Sequence, residues 1–263
     1  MNELFVVPFF SGLILALLLP LVGNLLRLRD EWLATLGYAH LATATALAGM
    51  AVALPPILGA PVGAVAGAAF KHCARARGHS IHAWIILAGW SVALLVAANT
   101  ALGDALAHAV VDGQLYFAGA REFWSALALT LVALPLLSKL APRLIAARLF
   151  PEREHSNGSS AWRWHLGFDL LAALTIAAAT ATLGLLGAFA LIFAPSWLAF
   201  RHAPDWRRAN WFAAALGAGI YLAAFALALA LDQPFGPLLA ALCVVLGALA
   251  AIARRPVGAD FRT

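Results

Sequence analysis

Of 263 residues, 63% are hydrophobic and 11% are charged, whereas an ordinary soluble domain is about half apolar and about a quarter charged. That excess of apolar surface excludes a soluble globular fold of this size. A formal net charge of +5 would point to nucleic acid in a soluble chain, but here the placement of the basic residues carries the information rather than their sum.

Apolar stretches near the length that crosses a bilayer recur from end to end. They lack the alternation of barrel strands, so helices remain as the structure that satisfies a backbone in lipid. The opening MNELFVVPFF has one acid, Glu3, and no Lys or Arg before its apolar run. It lacks the basic start of a secretory signal and reads as a retained span. Spans are predicted over 4–26, 32–54, 56–70, 82–101, 123–141, 164–183, 185–200, 210–231 and 236–253. The run from Leu166 to Phe200 would be about 52 Å long as one helix, so it must break. Gly184 and Gly187 are the expected hinge, because glycine tolerates the angles of a tight reversal. The result is an all-α, polytopic membrane protein of about nine helices in a single domain, 1–263.

Charge layout orients this scheme. Arg27 and Arg29, then Lys71, Arg75 and Arg77, then Lys139, Arg143, Arg148, Arg153 and Arg163, then Arg201, Arg207 and Arg208, then Arg254, Arg255 and Arg262 fall on one side, and Arg121 falls on the other. The N-terminus is therefore expected outside and the C-terminus in the cytoplasm. Trp32, Trp124, Trp162, Trp164 and Trp211 sit at span ends, where amphipathic rings favour the interface. The longest hydrophilic segment, about Arg148 to Arg163, is the natural place for a cytoplasmic partner. Cys73 and Cys243, one in a basic loop and one in an apolar run, imply no disulfide framework.

Three stretches carry a family likeness. From Leu231 the chain reads LDQPFGPLLAALCVVLGALA, in which Pro234, Gly236 and Pro237 suit a tight outer turn that starts the next helix, and Asp232 fits the same pattern. From Ala190 it reads ALIFAPSWLA, with Pro195 and Ala199 near its end, and from Arg27 it reads RLRDEWLATLGYAHLATATALAG. Together with length and span spacing, these resemble the membrane permease subunit of ABC-type importers for zinc, manganese or iron. The resemblance implies a homodimeric permease working by alternating access. ATP would be hydrolysed on a separate ABC ATPase subunit, and an extracytoplasmic metal-binding protein would deliver the divalent transition metal as substrate. It implies no covalently bound cofactor and no nucleic acid, and a place in the bacterial inner membrane among its lipids. It also aligns Phe150 to Ser159, with Glu152, Arg153 and Glu154, with the segment that presses into the ATPase.

The family pattern has an Asp and a His one helical turn apart, a pair able to hold a divalent ion. With His40 in the histidine position the aspartate's place is taken by Leu36; with Leu36 and Gly37 aligned instead it falls to Tyr38. His40 is either a ligand on the pathway or a side chain bonded to a backbone carbonyl between helices. Leu102 to Ala109, LGDALAHA, repeats the missing motif in the outer loop. Asp104, His108 and Asp112 stand at i, i+4 and i+8, one face of a helix, and suit zinc or manganese; a solvated face is the plainer reading.

His72, Cys73, His79 and His82 lack the spacing of a structural zinc site and read as a solvated basic loop. Asp169, near a span end, is expected to pair with Arg163 or His165. Enzyme classes fare poorly. The chain has no HExxH, no GxSxG and no Walker phosphate loop. Other readings are a permease of like architecture for another small substrate, or a non-transporting scaffold or channel.

Overall fold

A computed structural model of the chain describes residues 5–74, 79–100, 115–150, 152 and 161–252. These form α1 (Val6–Leu28), α2 (Trp32–Ala51), α3 (Pro56–Cys73), α4 (His79–Asn99), a 3-10 turn (Leu115–Phe117), α5 (Ala120–Leu149), α6 (Ala161–His202), α7 (Trp206–Leu231) and α8 (Phe235–Ile252). No strand occurs among the described residues. Most predicted boundaries lie within a few residues of these, and α5 extends further past its predicted end. Among the described residues six helices are long and apolar enough to cross a membrane; α2 and α3 are not among them, because Gly, Ala and Thr replace larger apolar residues there.

Gly184 breaks α6, with φ 79° and ψ 169°, a region essentially restricted to glycine. The break is a reversal. Asp169, before it, meets Arg29, while Phe200, after it, stacks under Arg27 5.1 Å away, so both halves return to the same end of the bundle. We call them α6a (161–183) and α6b (185–202).

Among the described residues, three of the cations that the sequence sorts to one side, Arg27, Lys71 and Arg143, lie at one end. Arg27 lies 5.1 Å over Phe200 and 5.9 Å over Trp32, Arg143 lies 3.3 Å over Trp164, and Lys71 closes α3 there. At the opposite end Phe5 meets Tyr116 edge-on and Phe235 packs on Tyr221. The core lies along α1 and α6, with α2, α3, α5, α7 and α8 packed around them, and α4 rests on α2. Exposed Leu, Val and Trp side chains of α4, α5 and α8 face outward, as lipid contact requires.

Close approach of α2 and α3 rests on glycine. Gly59, Gly63 and Gly67 recur every fourth residue, so they share one face, the small-xxx-small arrangement of membrane helix pairs. A Cβ at Gly59 would lie 2.6 Å from the Thr45 carbonyl oxygen, and one at Gly67 2.8 Å from Leu41 Cδ1. The Gly63 amide donates to Thr45 Oγ1 at 3.1 Å, and that hydroxyl donates to the Leu41 carbonyl at 2.9 Å. In α1, Gly23 leaves room for α6b, since a Cβ there would meet the Ile192 carbonyl and Ser196 Oγ, and the Ser196 hydroxyl donates to the Pro20 carbonyl at 2.9 Å. Tyr221 of α7 donates to the Phe9 carbonyl at 3.0 Å.

Candidate functional site

α2 begins at Trp32, just after Glu31, whose side chain makes no capping bond, and carries His40 on the side toward α4. His40 is half-buried, with Nδ1 2.7 Å from the Leu36 carbonyl oxygen and its ring 5.2 Å from Trp90 of α4. That bond requires a proton on Nδ1 and leaves the lone pair on Nε2 for a ligand. His40 thus bonds a backbone carbonyl, but within α2 rather than between helices as expected, and the bond does not consume the nitrogen that would bind an ion. Leu36 contributes its backbone oxygen and no carboxylate, and Tyr38, the alternative position, is fully buried and turns toward His82, 6.2 Å away between ring centres. Among the described residues no group of three or more His, Cys, Asp or Glu side chains could hold a metal ion.

Four buried charges lie at the basic end. Lys71 Nζ donates to Glu31 Oε1 and Oε2 at 2.8 and 2.9 Å and to Asp169 Oδ1 and Oδ2 at 3.2 and 3.1 Å. Arg29 meets Glu31 Oε2 at 2.9 Å and Asp169 Oδ1 at 2.9 Å, with its guanidinium 5.1 Å from the Phe168 ring. Asp169 was expected to pair with Arg163 or His165. It pairs with Arg29 and Lys71 instead, because its place two turns into α6a faces α1 and α3.

Burial alone would push the Glu31 carboxyl up, yet Arg29 and Lys71 hold it below its ordinary value. Burial alone would lower Arg29, and Asp169 and Glu31 together raise it above its ordinary value. Both groups are thus held charged in a dry place. His82 abuts this cluster and is fully buried rather than solvated, while Cys73 is exposed and the His72 ring lies 5.4 Å from Trp162. Sequence reasoning missed the cluster because its members come from three separated segments. The one signal was Asp169, an acid inside an apolar run.

The turn between α7 and α8 takes the tight shape its residues suggest. Asp232 ends α7 in the left-handed region (φ 52°, ψ 48°), its amide donating to the Ala228 carbonyl, and the Gln233 amide reaches the same carbonyl at 3.0 Å. Pro234 precedes α8, and Gly236 and Pro237 lie in its first turn, where a missing N–H costs nothing. Beside Ala118 and Glu122 at this end, a crevice between α3, α5 and α6a is lined by Pro56, Ser125, Ala178 and Thr182. Asp104, His108, Asp112, Arg153 and Glu154 lie outside the described residues, and Glu152 is exposed.

The model of the ABC 3 transport family matches residues 1–254. No curated protein matches the chain. Among solved structures, PsaBC from Streptococcus pneumoniae in complex with Fab is similar with a TM-score of 0.79 at 12% identity, covering 92% of this chain and 89% of that one. A metal-chelate type ABC transporter in an inward-facing conformation is similar with a TM-score of 0.75 at 13% identity, covering 94% and 85%. At such identities the likeness concerns the fold.

Proposed function

The chain belongs to the ABC 3 transport family, a multi-pass membrane permease, and from that premise we propose that it is the importer subunit through which a divalent transition metal crosses the bacterial inner membrane. The observation that carries this reading is the family match over residues 1–254. Membership implies an ATPase partner and a substrate-binding protein. Consistent with this division of labour, the chain carries no phosphate loop of its own.

In this reading the basic end faces the cytoplasm, the helix passes number nine with α6a and α6b counted separately, and two copies enclose the pathway. His40 Nε2 meets the ion on α2. Asp104, His108 and Asp112 form an outer receiving face that takes the ion from its delivery protein. Glu152, Arg153 and Glu154 meet the ATPase, whose closure rocks the helices between outward-open and inward-open states. Asp232, Pro234, Gly236 and Pro237 shape the outer rim.

A second reading, in which the metal passes as a chelate, is favoured by the lone imidazole on α2, where Leu36 stands one turn before His40 in place of a carboxylate. The similarity to a metal-chelate type transporter agrees with it.

The test is uptake by the permease reconstituted with its ATPase and binding protein, with zinc, manganese and ferrous ion offered free and then chelated. ATP-dependent uptake of a free ion that drops in His40→Ala supports the first reading. Uptake of the chelate alone, unaffected by His40→Ala, supports the second, and ATP-dependent uptake of neither refutes both.

A further inference from the structure

The buried charges at the basic end join parts of the chain that the proposed mechanism must move together. Arg29 and Glu31 sit in the connection between α1 and α2, Lys71 in the last turn of α3, and Asp169 two turns into α6a. Their side chains are 10%, 11%, 6% and 3% exposed, respectively. Two cations and two anions balance, so the cluster is neutral as a whole.

Stability gives a poor account of it. Apolar side chains of similar volume would hold these ends together as well or better, since burying charge costs about as much as pairing returns. Charges differ from apolar contacts in being directional. Packed helices slide past one another by small shears, whereas a lysine shared between two carboxylates fixes both at hydrogen-bond distance. Lys71 does this for Glu31 and Asp169 at once, with every Nζ–oxygen distance between 2.8 and 3.2 Å.

The joined segments have opposite neighbours. α6a is entered from the hydrophilic stretch proposed to meet the ATPase, and its first turns are clasped by Arg143 of α5 on Trp164 and by His72 of α3 beside Trp162. Glu31 immediately precedes α2, which presents His40 nine residues after it, about 13 Å along the helix axis. α2 is itself locked to α3 along the Gly59, Gly63 and Gly67 face, where the backbones touch. A displacement delivered to the start of α6a therefore reaches α2 through Asp169, Lys71 and Glu31 without slack.

We infer that Arg29, Glu31, Lys71 and Asp169 are positioning residues for transport, a rigid linkage that carries movement from the ATPase-facing end of α6a to the helix bearing His40. This rests on the permease reading above and adds to it the route of coupling.

The experiment uses the reconstituted complex of permease, ATPase and binding protein, and reads ions moved per ATP hydrolysed. Glu31→Gln/Lys71→Met removes the bridge but leaves the neutral Arg29–Asp169 pair. It should keep its thermal stability and ATPase rate and lose about 5-fold or more in ions per ATP, the low end of a coupling free energy. Lys71→Arg, which keeps the charge, should hold the wild-type ratio. Should the first variant fail to fold, Lys71→Gln/Asp169→Asn, which keeps the Arg29–Glu31 pair, carries the same expectation. A ratio unchanged in a folded bridge-less variant, or ATPase and uptake falling in the same proportion, overturns the linkage while leaving the permease reading intact. No uptake by the wild-type complex overturns the permease reading, and the linkage with it.

Discussion

Gly63→Ala is the smallest change that should separate α2 from α3. The new methyl would sit on the Leu41 carbonyl oxygen and Thr45 Oγ1 and 2.7 Å from the Leu41 carbonyl carbon, where carbon pairs prefer about 3.5–4.0 Å. Two of these contacts are backbone, which no rotamer change relieves, so the helices must part by roughly an ångström. Overpacking of this kind costs about 1–3 kcal/mol. Stretching the bond from the Gly63 amide to Thr45 Oγ1 adds about 0.5–1.5 kcal/mol, for a total of about 1.5–4.5 kcal/mol.

Gly219→Ala on α7 is the control, because nothing lies within 4 Å of its added Cβ. There the change should be neutral or stabilising by some tenths of a kcal/mol, since alanine is the better helix former. Thermal unfolding of both variants in detergent, followed by size-exclusion fluorescence, gives the comparison. Equal midpoints for Gly63→Ala and Gly219→Ala would refute the argument that backbone contact along the α3 glycine face sets the α2–α3 distance.

Other measurements reach the remaining parts of the structure. Gly184→Ala should destabilise by about 1–3 kcal/mol, because its φ of 79° with ψ of 169° belongs to glycine; an unchanged unfolding midpoint would show that the reversal needs no such angle. Glu31, held below its ordinary value by Arg29 and Lys71, contributes stability that is present above the ordinary carboxylate range and lost as pH falls through the lower folded value. Wild-type midpoints should thus exceed those of Glu31→Gln at pH 7, and the gap should begin to narrow as pH falls below the ordinary carboxylate value of about 4.3 and close under the lower folded value; a gap that does not narrow in acid would remove the charge argument. Asp104→Ala/His108→Ala should reduce uptake at limiting metal more than at saturating metal, and equal loss at all concentrations would remove the receiving face. Reporters after Arg77, Ser156 and Arg255 should be cytoplasmic and one near Asp112 external; an external Ser156 would overturn the proposed orientation and crossings.

Periodicity and charge made the helical scheme legible, and particular residues show why. Gly184 was visible because a run from Leu166 to Phe200 is too long for one crossing, so a break had to fall at a residue permissive for reversal. Asp232, Pro234, Gly236 and Pro237 were visible because a turn's backbone demands are local. The partners of Asp169 were not. Lys71 read as one more loop cation, and only the tertiary arrangement brings it between Glu31 and Asp169. His82 likewise read as loop, since residues 75–78 beside it are strongly basic, although α4 already starts at His79 and turns His82 inward. The glycine face of α3 was present in the spacing of 59, 63 and 67, but its meaning depends on which helix it meets.

His40 shows what the local pattern left open and the fold decides. A leucine at position 36 removes the carboxylate that would share an ion with the imidazole, and the ring instead meets the Leu36 carbonyl and Trp90. What Leu36 does supply is its carbonyl, which fixes the His40 tautomer and aims Nε2 away from the helix. An ion met by one nitrogen is held loosely, and loose holding suits a site that must release its cargo on each cycle. Tight capture then has to happen elsewhere, on a second copy, on the chelate or on the outer acid-histidine face. Each of these leaves a different signature in the uptake assays: cooperativity between His40 residues, dependence on chelation, or loss confined to limiting metal.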